Sequence, residues 1–550
     1  MIKQRIKEAV EKAVKTVFGE IPLPQFEIET PRKGFFGDYA TNIAFVLKNS
    51  LNLPPLEIAE KLVQELTNEK TLFEKVEVAK PGFINFWVST QYYLENLLKA
   101  IEEKDNYGRI DLGKGKKVLV EFVSANPTGP LHIGHGRGAA YGDSLARVLE
   151  FTGYSVIREY YINDKGTQMD ILGESVYLRA KELKGEKINF PEDFYKGAYI
   201  YDIAKKVLAD YPNLLELEKK EAIAICREIA IKTILEDIKS DLDRFRVVFD
   251  SWYSEKSLYE KGKVDALINL LKQKGLVYEK EGALWFRSSD FGDEKDRVLI
   301  RSNGEYTYFA GDIAYHHEKF VDRGFDLAIN LWGADHHGYV KRLKGALKAL
   351  GLNPENLKVI LIQMVNLIEG GELKSMSTRQ GEFVELKELL NEVGVDATRF
   401  IFLSRSSDSP LDFDIDLAKK QSQENPVYYV QYAHARICSI FEKAREQGLE
   451  EINWREVDFS LLSSEEEIAL AKKIEEFKEV IESASMFYAP YKITYYLLDL
   501  AKQFHEFYTK HRVLSDDIPL TLARLGLCLG CKIVLKNGLN LLGVNSPEKM

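Results

Sequence analysis

The arrangement of apolar positions divides the chain into three parts. The middle part contains apolar runs of strand length at 118–123, 155–161, 327–332 and 359–365. The first of these is apolar almost throughout, as expected of a parallel strand that is buried on both faces. Small residues at 134–146 follow it and suit a closely packed helix. The pattern predicts an α/β domain with a parallel sheet over 115–415.

The flanking parts have different patterns. Residues 76–78 and 83–88 alternate apolar and polar around a Lys-Pro-Gly turn, which predicts a hairpin within a largely helical module over 1–105. From 416 to 550 apolar residues recur at helical spacing and strand signals vanish, which predicts an all-α bundle. A stretch at about 170–298 is mostly charged helix with some strand, and we interpret it as an insertion in the α/β domain.

Composition narrows the class of protein. The 550 residues are 45% hydrophobic and 29% charged, as in ordinary globular proteins, and the net charge is −10. An acidic chain is not covered by one basic patch, although a local basic surface for nucleic acid remains compatible with it. The start has charged residues at helical spacing rather than a secretory signal, and no stretch reads as a membrane span. We therefore expect a cytoplasmic protein without a membrane partner.

Cysteine and histidine patterns give little support for a bound metal. Four cysteines in 550 residues do not make a disulfide framework. Cys528 and Cys531 form a lone C-x-x-C in an apolar run, where helix packing is the favoured interpretation over zinc. The pairs 316–317 and 336–337 are adjacent histidines, whose side chains point in different directions. We expect structural or substrate-contacting roles for them and no protein-bound metal.

The segment EFVSANPTGPLHIGHGR, residues 121–137, is the most informative in the chain. It predicts a strand, a Pro/Gly turn and the start of a helix, where free backbone N–H groups suit a triphosphate. Gly134 lets a nucleotide approach the backbone. His132 and His135, three residues apart, can face the phosphates and stabilise transition-state charge. The alternative is a pair of structural histidines, which the preceding strand and turn disfavour.

An acidic residue, Glu121, lies at the end of that apolar run. Burying a carboxylate is costly unless it has a partner, so this residue is a candidate selector for a cationic substrate. A guanidinium carries five donors and needs carboxylates placed to pair with it. Downstream, YTYFAGDIAY at 306–315 resembles the arginine-binding helix of arginyl-tRNA synthetases, and by that resemblance Tyr308 and Asp312, four residues apart on one helix face, would bind the guanidinium.

The 121–137 segment resembles the HIGH signature of class I aminoacyl-tRNA synthetases. A second segment, KSMSTRQG at 374–381, is similar to the KMSKS loop of that class, which closes over the ATP phosphates. Here Ser375 and Thr378 stand at the two lysine places of the family pattern. Lys374 and Arg379 are the leading candidates for the missing cations, because Gly129 stands where many relatives have a compensating lysine.

The resemblance to arginyl-tRNA synthetases runs through the whole chain and implies further roles. It implies a Rossmann-like class I catalytic domain with an α+β amino-terminal module that binds the D-loop of tRNA and an all-α carboxy-terminal bundle that binds the anticodon. The implied substrates are L-arginine, ATP with Mg²⁺, and tRNA(Arg), with activation dependent on tRNA, and we expect a monomer. Arginine would contact Glu121, Asn126, His132, Tyr308, Asp312 and Asp335, and ATP would contact His132, Gly134, His135, Met376 and Ser377.

For tRNA, the resemblance points to both ends of the chain. Phe83 and Asn85 match residues that stack on and hydrogen-bond a base. Without the resemblance, a place for Phe83 in the core of its hairpin is an equally good interpretation. Tyr428, Tyr432 and Arg436 match the start of the anticodon-binding domain, where a tyrosine stripe at helical spacing is also ordinary core. Net charge is +3 over 491–550, which is consistent with a surface that follows phosphates.

Two rival interpretations remain. A synthetase for another amino acid is disfavoured because an uncharged substrate would leave the carboxylates of Glu121 and Asp312 unpaired. A catalytically inactive relative that only binds tRNA is kept open by the altered loop at 374–379, while His132 and His135 argue against it.

Overall fold

The computed structural model describes residues 1–31, 37–374 and 384–550. Its amino-terminal region combines helices with a four-stranded sheet of order β1-β2-β4-β3, in which β3 and β4 form the expected antiparallel hairpin. The elements of this region are α1 Ile2–Phe18, β1 Ile28–Glu29, β2 Tyr39–Thr41, α2 Ile43–Leu51, α3 Pro55–Leu66, β3 Phe73–Ala79, β4 Phe83–Val88 and α4 Thr90–Glu103.

The middle of the chain forms a five-stranded parallel sheet of order β12-β11-β5-β6-β7. This confirms the Rossmann-like fold class. The elements are β5 Lys117–Glu121, α5 Ile133–Phe151, β6 Ser155–Ile162, α6 Thr167–Leu183, α7 Ala198–Asp210, α8 Lys219–Arg244, β7 Ser251–Ser254, α9 Glu255–Glu260, α10 Lys263–Gln273, β8 Val277–Lys280, β9 Ala283–Phe286, β10 Arg297–Ile300, α11 Tyr308–His317, β11 Leu327–Gly333, α12 His337–Ala349 and β12 Leu357–Ile362.

The range 170–298 contains more than peripheral structure. Its strand β7 lies beside β6 and completes the edge of the central sheet, while β8, β9 and β10 form a separate antiparallel sheet. No apolar run of strand length marks β7 in the sequence, because Ser251–Ser254 is short and not apolar throughout. The sheet edge formed by β7 therefore brings the residues that follow it towards the carboxyl ends of β5 and β6.

The rest of the chain joins the central domain to a helical bundle. A three-stranded sheet of order β14-β13-β15 leads into it. After β15 the chain is helical, as expected. The elements are β13 Val365–Glu369, β14 Glu372–Lys374, α13 Leu386–Val393, α14 Val395–Phe402, β15 Leu411–Asp414, α15 Ile415–Lys419, α16 Pro426–Glu446, α17 Glu465–Met486, α18 Tyr491–Lys510 and α19 Ile518–Leu541.

Helix α19 corrects one expectation. Its length and apolar composition alone would allow it to cross a membrane, so the statement that no stretch reads as a span is wrong; within the described ranges it is the single helix of this kind. In the fold, 56% of its most apolar 18-residue window is buried, and the helix packs against α4, α16, α17 and α18. Cys528 and Cys531 are fully buried residues of this helix.

The amino-terminal module contacts the helical bundle directly. Tyr39 donates its hydroxyl hydrogen to Glu479 of α17 (3.0 Å), and Tyr92 donates to Glu475 on the same helix (3.2 Å). Because these partners are about 400 residues apart in sequence, α17 fixes the two ends of the molecule against each other.

A buried arginine joins three parts of the protein. The guanidinium of Arg399, on α14, donates to the carboxylate of Asp143 in α5 at 2.5 Å. It also donates to the backbone carbonyls of Phe245, after α8, at 2.9 Å and of Leu542, after α19, at 2.8 Å. The side chain is fully buried, so these bonds replace its contact with water.

We expect Arg399→Met to lower the free energy of unfolding by about 3 kcal/mol or more, because it leaves buried carbonyls without a donor and weakens the pairing of Asp143. Denaturant unfolding followed by circular dichroism measures this change. The matched control is Lys61→Met, which removes the exposed Lys61–Glu57 pair and should change the free energy by about 0.5 kcal/mol or less. Equal effects of the two substitutions would contradict the assignment of Arg399 as the joining residue.

Candidate active site

The two histidines of the HIGH segment, His132 and His135, accept hydrogen bonds from backbone N–H groups at the start of α5 and form a capping box. The backbone N–H of His132 donates to Nδ1 of His135 (3.3 Å), and the backbone N–H of Gly134 donates to Nδ1 of His132 (3.1 Å). The rings are stacked with their centroids 3.6 Å apart. Because both Nδ1 atoms accept from the backbone, each neutral ring carries its hydrogen on Nε2.

Burial keeps these rings neutral. It lowers the pKa of His132, and burial together with the neighbouring His132 lowers the pKa of His135 to about 3. At neutral pH the pair therefore offers Nε2–H donors rather than positive charges. Such fixed donors at a helix start suit an anion whose charge increases during a reaction.

The turn before α5 is supported by the helical part of 170–298. Tyr199 of α7 donates its hydroxyl hydrogen to the backbone carbonyl of Thr128 at 2.6 Å. A Cβ atom added at Gly129 would lie 3.1 Å from this hydroxyl oxygen. The side chain of Tyr199 therefore occupies the space beside Gly129. This is the position where, according to the sequence resemblance, many arginyl-tRNA synthetases have a compensating lysine.

Helix α5 lies unusually close to the strand that precedes it. A Cβ atom added at Gly142 would lie 2.2 Å from the side chain of Phe122, so only glycine fits there. The expected closely packed helix of small residues is confirmed by this contact.

Arg137, two residues after His135, connects α5 to the region of the second motif. Its fully buried guanidinium donates to the carbonyls of Gln363 (2.8 Å), Ser406 (2.8 Å) and Ser409 (2.9 Å). Gln363 lies between β12 and β13, and β13 pairs with β14, which ends at Lys374. The arginine thus fixes the hairpin that enters the KMSKS-like segment.

The exit from that segment is also tied to the HIGH turn. Leu386 donates its backbone N–H to the carbonyl of Leu131 (2.7 Å), and Ile133 donates to the carbonyl of Val384 (3.3 Å). Met376, Ser377 and Arg379, together with the side chain of Lys374, lie outside the described residues. Their predicted roles stay predictions.

A set of acidic side chains lies near the carboxyl ends of the central strands. Glu121 ends β5 and is buried, and Asp312 lies on α11, where it accepts a hydrogen bond from the hydroxyl of Tyr339. Burial is the main cause that raises the pKa of Asp312 to about 6, and the nearby Glu121 also raises it. Tyr308, one turn before Asp312 on α11, is 57% exposed and marks the open side of this pocket.

Glu121 already has a partner within the protein. Nζ of Lys319 lies 2.5 Å from Oε2 of Glu121 and 3.1 Å from Oδ1 of Asn330, and both residues are buried. The expectation that only a substrate cation could compensate the buried carboxylate of Glu121 is therefore wrong. The predicted contact of Glu121 with arginine stays a prediction. No pattern in the sequence marks Lys319 as a buried residue, because a lysine beside other charged residues is typical of an exposed position.

The remaining predicted arginine contacts are less tightly held. The side-chain amide of Asn126 donates to Oε1 of Gln168 on α6 at 2.8 Å. The side chain of Asp335 is 83% exposed, and its carboxylate lies 3.7 Å from Nε2 of His336. Asp335 is thus an open surface residue in this structure, whereas Asn126 is already oriented by a neighbour.

The structure adds Glu255 to the acidic set. This residue begins α9 directly after β7 and is 5% exposed. Burial, with contributions from Asp312 and Asp164, raises its pKa to about 7. The signal that could have identified Glu255 is its place after a strand of the central sheet, and that strand was not predicted.

The predicted tRNA contacts divide by exposure. On β4, Phe83 is 40% exposed and packs on Phe45 with ring centroids 4.8 Å apart, while Asn85 is only 6% exposed. On α16, the rings of Tyr428 and Tyr432 are stacked at 6.1 Å, and the guanidinium of Arg436 lies 4.9 Å from the centroid of Tyr432. Sequence reasoning missed His505 of α18, which stacks on Tyr432 at 5.9 Å.

The adjacent histidines at 316–317 and 336–337 are not part of a metal-ligand cluster among the described residues. His316 is buried and bonds the backbone carbonyl of Asp312 through Nδ1 and the amide of Asn330 through Nε2, each at 2.8 Å. In the part of the chain that the structure describes, no group of three or more His, Cys, Asp or Glu side chains is placed to hold a metal ion.

Comparisons with known proteins agree with one another along the whole chain. Residues 96–408 match the family model described as tRNA synthetases class I (R), catalytic domain. Residues 1–88 match the arginyl tRNA synthetase N terminal domain, and residues 430–550 match the DALR anticodon binding domain.

Individual relatives are similar over their full length. The chain is 52% identical to an arginine–tRNA ligase of Desulfosudis oleivorans, covering 100% of this chain and 99% of that one. It is 50% identical to an arginine–tRNA ligase of Syntrophotalea carbinolica, covering 100% of both. The solved structure of Thermus thermophilus arginyl-tRNA synthetase is similar with a TM-score of 0.78 over 100% of both chains, and at 24% identity it speaks for the fold alone.

We expect Arg137→Lys to raise the KM for ATP about tenfold while the KM for arginine changes by about twofold or less, because the one nitrogen of a lysine cannot reach the carbonyls that two guanidinium nitrogens bond from different positions. Burial lowers the pKa of Arg137 to about 10, so the native side chain is still charged at neutral pH. Saturation curves for both substrates measure the two constants. An equal rise in both would show that Arg137 supports the domain generally and not the nucleotide side.

We expect arginine affinity to fall about tenfold between about pH 7 and about pH 5, because the role predicted for Asp312, binding the guanidinium, needs an ionised carboxylate, and burial raises the pKa of Asp312 to about 6. The sign follows from the raised pKa: the carboxylate is charged above it and neutral below it. Calorimetric titration of arginine, with tRNA present, measures the change. Asp312→Asn should bind weakly at every pH, and Glu255→Gln removes the contribution of the second raised carboxyl group.

Proposed function

The chain belongs to the class I arginyl-tRNA synthetase family, and from this premise we propose that it joins L-arginine to tRNA(Arg) in two steps. Arginine and ATP first form arginyl-adenylate and release pyrophosphate. The arginyl group then passes to the 3′-terminal ribose of the tRNA. The observation that carries this proposal is a pair of neighbouring carboxylates, buried Glu121 and half-buried Asp312, near the capped start of α5.

The position of the pocket supports its assignment to arginine. Glu121 ends β5, and the HIGH turn begins directly after it, so both lie at the carboxyl end of the same parallel strand. Ligands of open α/β sheets bind at this edge. We assign the guanidinium to Asp312, Glu121 and the open face of Tyr308, and the α-amino and carboxylate groups to Asn126 and His132, with Asp335 reaching the amino group.

The neutral histidines suit the adenylation step. The arginine carboxylate attacks the α-phosphate of ATP, and negative charge increases on the phosphate oxygens as pyrophosphate leaves. We assign Nε2–H of His132 and His135 to these oxygens, and Gly134 to the close approach of the nucleotide. Met376 and Ser377 would contact ATP, and Lys374 and Arg379 would supply the cations at the phosphates.

Mg²⁺ enters this scheme with ATP. No group of ligands among the described residues is arranged to hold it alone, which fits an ion bound mainly by phosphate oxygens and water. It would lower the repulsion between the phosphates and the attacking carboxylate.

Two surfaces are proposed for tRNA. Exposed Phe83 offers a ring on which a base can stack, with Asn85 behind it on the same face of β4. Tyr428, Tyr432 and Arg436 on α16 form a stacked aromatic and cationic surface for the anticodon. We further propose that the enzyme requires bound tRNA for arginine activation and acts as a monomer in the cytoplasm, where translation takes place.

The first test is arginine-dependent exchange between ATP and pyrophosphate, run with and without tRNA(Arg). We expect exchange with arginine and tRNA together, and none when lysine or glutamine replaces arginine. Absence of exchange in a folded protein that still binds tRNA would instead support the binding-only alternative. Exchange without tRNA would refute only the proposed dependence on tRNA.

His135→Asn separates capping from catalysis in the same assay. The asparagine oxygen can replace Nδ1 as acceptor for the His132 N–H, but the variant lacks the Nε2–H donor. We expect the exchange rate to fall about a hundredfold while thermal stability stays near that of the native protein. His135→Ala, which loses both functions, is the comparison. An unchanged rate in the asparagine variant would contradict the role assigned to Nε2.

A further inference from the structure

Lys319 is a fully buried cation inside the acidic pocket. It lies in a π-helical turn, Glu318–Asp322, that continues α11. Its ammonium contacts Glu121 at 2.5 Å and the amide oxygen of Asn330 at 3.1 Å, and it lies 4.0 Å from the ring centroid of Tyr315. Desolvation of an ammonium group is costly, so these contacts must compensate it closely.

The spacing along α11 and its continuation places this cation with the pocket residues. Tyr308, Asp312 and Lys319 are separated by four and seven residues, which corresponds to one and two helical turns on one face. The same face therefore carries the carboxylate that would bind the substrate and the ammonium that binds Glu121.

A second layer of bonds prevents Lys319 from acting as a mobile side chain that the substrate displaces. Tyr315, beneath it, donates its hydroxyl hydrogen to Glu159 at 2.6 Å, and Arg323 binds the same carboxylate at 2.9 and 2.6 Å. On the other side, His316 contacts the amide of Asn330 at 2.8 Å. The ammonium is thus held from two directions.

The charges near α11 and β5 can be counted. Glu121 and Asp312 are the two carboxylates assigned to the guanidinium, and the cation Lys319 bonds Oε2 of Glu121. Among the described residues none donates to Oε1 of Glu121, so that oxygen remains available to a ligand. Lys319 therefore compensates Glu121, and the charge of Asp312 is left for the guanidinium.

We propose that Lys319 is a specificity-determining positioning residue of the arginine pocket, because its ammonium orients Glu121 and cancels the charge of this carboxylate, one of the two assigned to the guanidinium. This inference rests on the arginine pocket proposed above. In this proposal Asp312 supplies the negative charge that selects arginine. Glu121 is a fixed hydrogen-bond acceptor for the guanidinium. A lysine with only a structural role would affect the binding of arginine and of ATP alike.

Other charged groups surround Asp312 and must be considered in any pH measurement. Lys319 lowers the pKa of Asp312, while burial and Glu121 raise it. The titratable and charged groups facing this region from the packed elements are Glu121 of β5, Glu159 and Tyr161 of β6, Tyr253 of β7, Glu255 and Tyr259 of α9, Tyr315 and His316 of α11, Tyr339 and Arg342 of α12, and Asp164, Lys165, Glu318 and Arg323 in the connecting segments.

The test compares arginine binding by calorimetry, with tRNA present, in a double-mutant cycle of K319M and E121Q. In K319M, we expect binding about tenfold weaker at neutral pH. Its loss of affinity on acidification should begin at a higher pH than in the native protein, because Asp312 no longer has the nearby cation. The KM for ATP should change by about twofold or less, since the nucleotide side is untouched.

The decisive variant is E121Q. It leaves Lys319 as a cation without its own carboxylate beside Asp312, so Lys319 offsets the charge of Asp312 and the variant should bind arginine worst of all. Adding K319M to E121Q should therefore improve binding about tenfold, the opposite sign to its effect in the native background. This comparison remains informative even if K319M alone does not fold, because the double variant contains no unpaired buried charge.

The outcomes separate this inference from the proposed function. If E121Q/K319M binds arginine no better than E121Q, or if K319M weakens ATP and arginine binding equally, Lys319 has only a structural role. If D312N leaves arginine binding unchanged, the pocket itself is misassigned. If the native protein shows no arginine-dependent exchange, the proposed function fails before the question of Lys319 arises.

Discussion

Burial of carboxylates at the carboxyl end of the central sheet is the constraint that organises this protein. Glu121 and Glu159 end or continue adjacent parallel strands, where both faces of the sheet are covered and water is excluded. Each requires a fixed cation, and α11 with its π-helical continuation supplies Lys319 and Arg323 for this purpose. The pocket proposed for arginine is thus built as part of the hydrogen-bonded core, and Asp312 is the carboxylate that we assign to the charge of the substrate.

The nucleotide side follows a different physical rule. Here burial is used to remove charge, since the two histidines at the start of α5 are kept neutral and joined by backbone hydrogen bonds. Arg137 connects this helix start to the hairpin that enters the KMSKS-like segment. A single helix therefore positions both the histidines that we assign to the phosphates and the strand pair that enters the KMSKS-like segment.

Helix α5 is also connected, through hydrogen bonds, to the regions that we propose to bind tRNA. Asp143 in α5 contacts Arg399, whose guanidinium reaches carbonyls after α8 and after α19. At the opposite end, α17 of the bundle is bonded to the amino-terminal module through Tyr39 and Tyr92. The regions proposed to hold the two ends of a tRNA are thus connected to helix α5 by hydrogen bonds between buried and partly buried groups.

The sequence by itself determined the parallel strands, the helical bundle, the turn before α5 and the pair His132 and His135, because hydrophobic periodicity and local turn chemistry are encoded over a few residues. Resemblance added Tyr308 and Asp312 through their spacing on one helix. Only the tertiary structure decided that β7 completes the sheet, that Glu255 enters the pocket, and that Glu121 is paired with Lys319, 198 residues later. Charge compensation between buried groups depends on which side chains meet in space, and a local pattern does not contain that information.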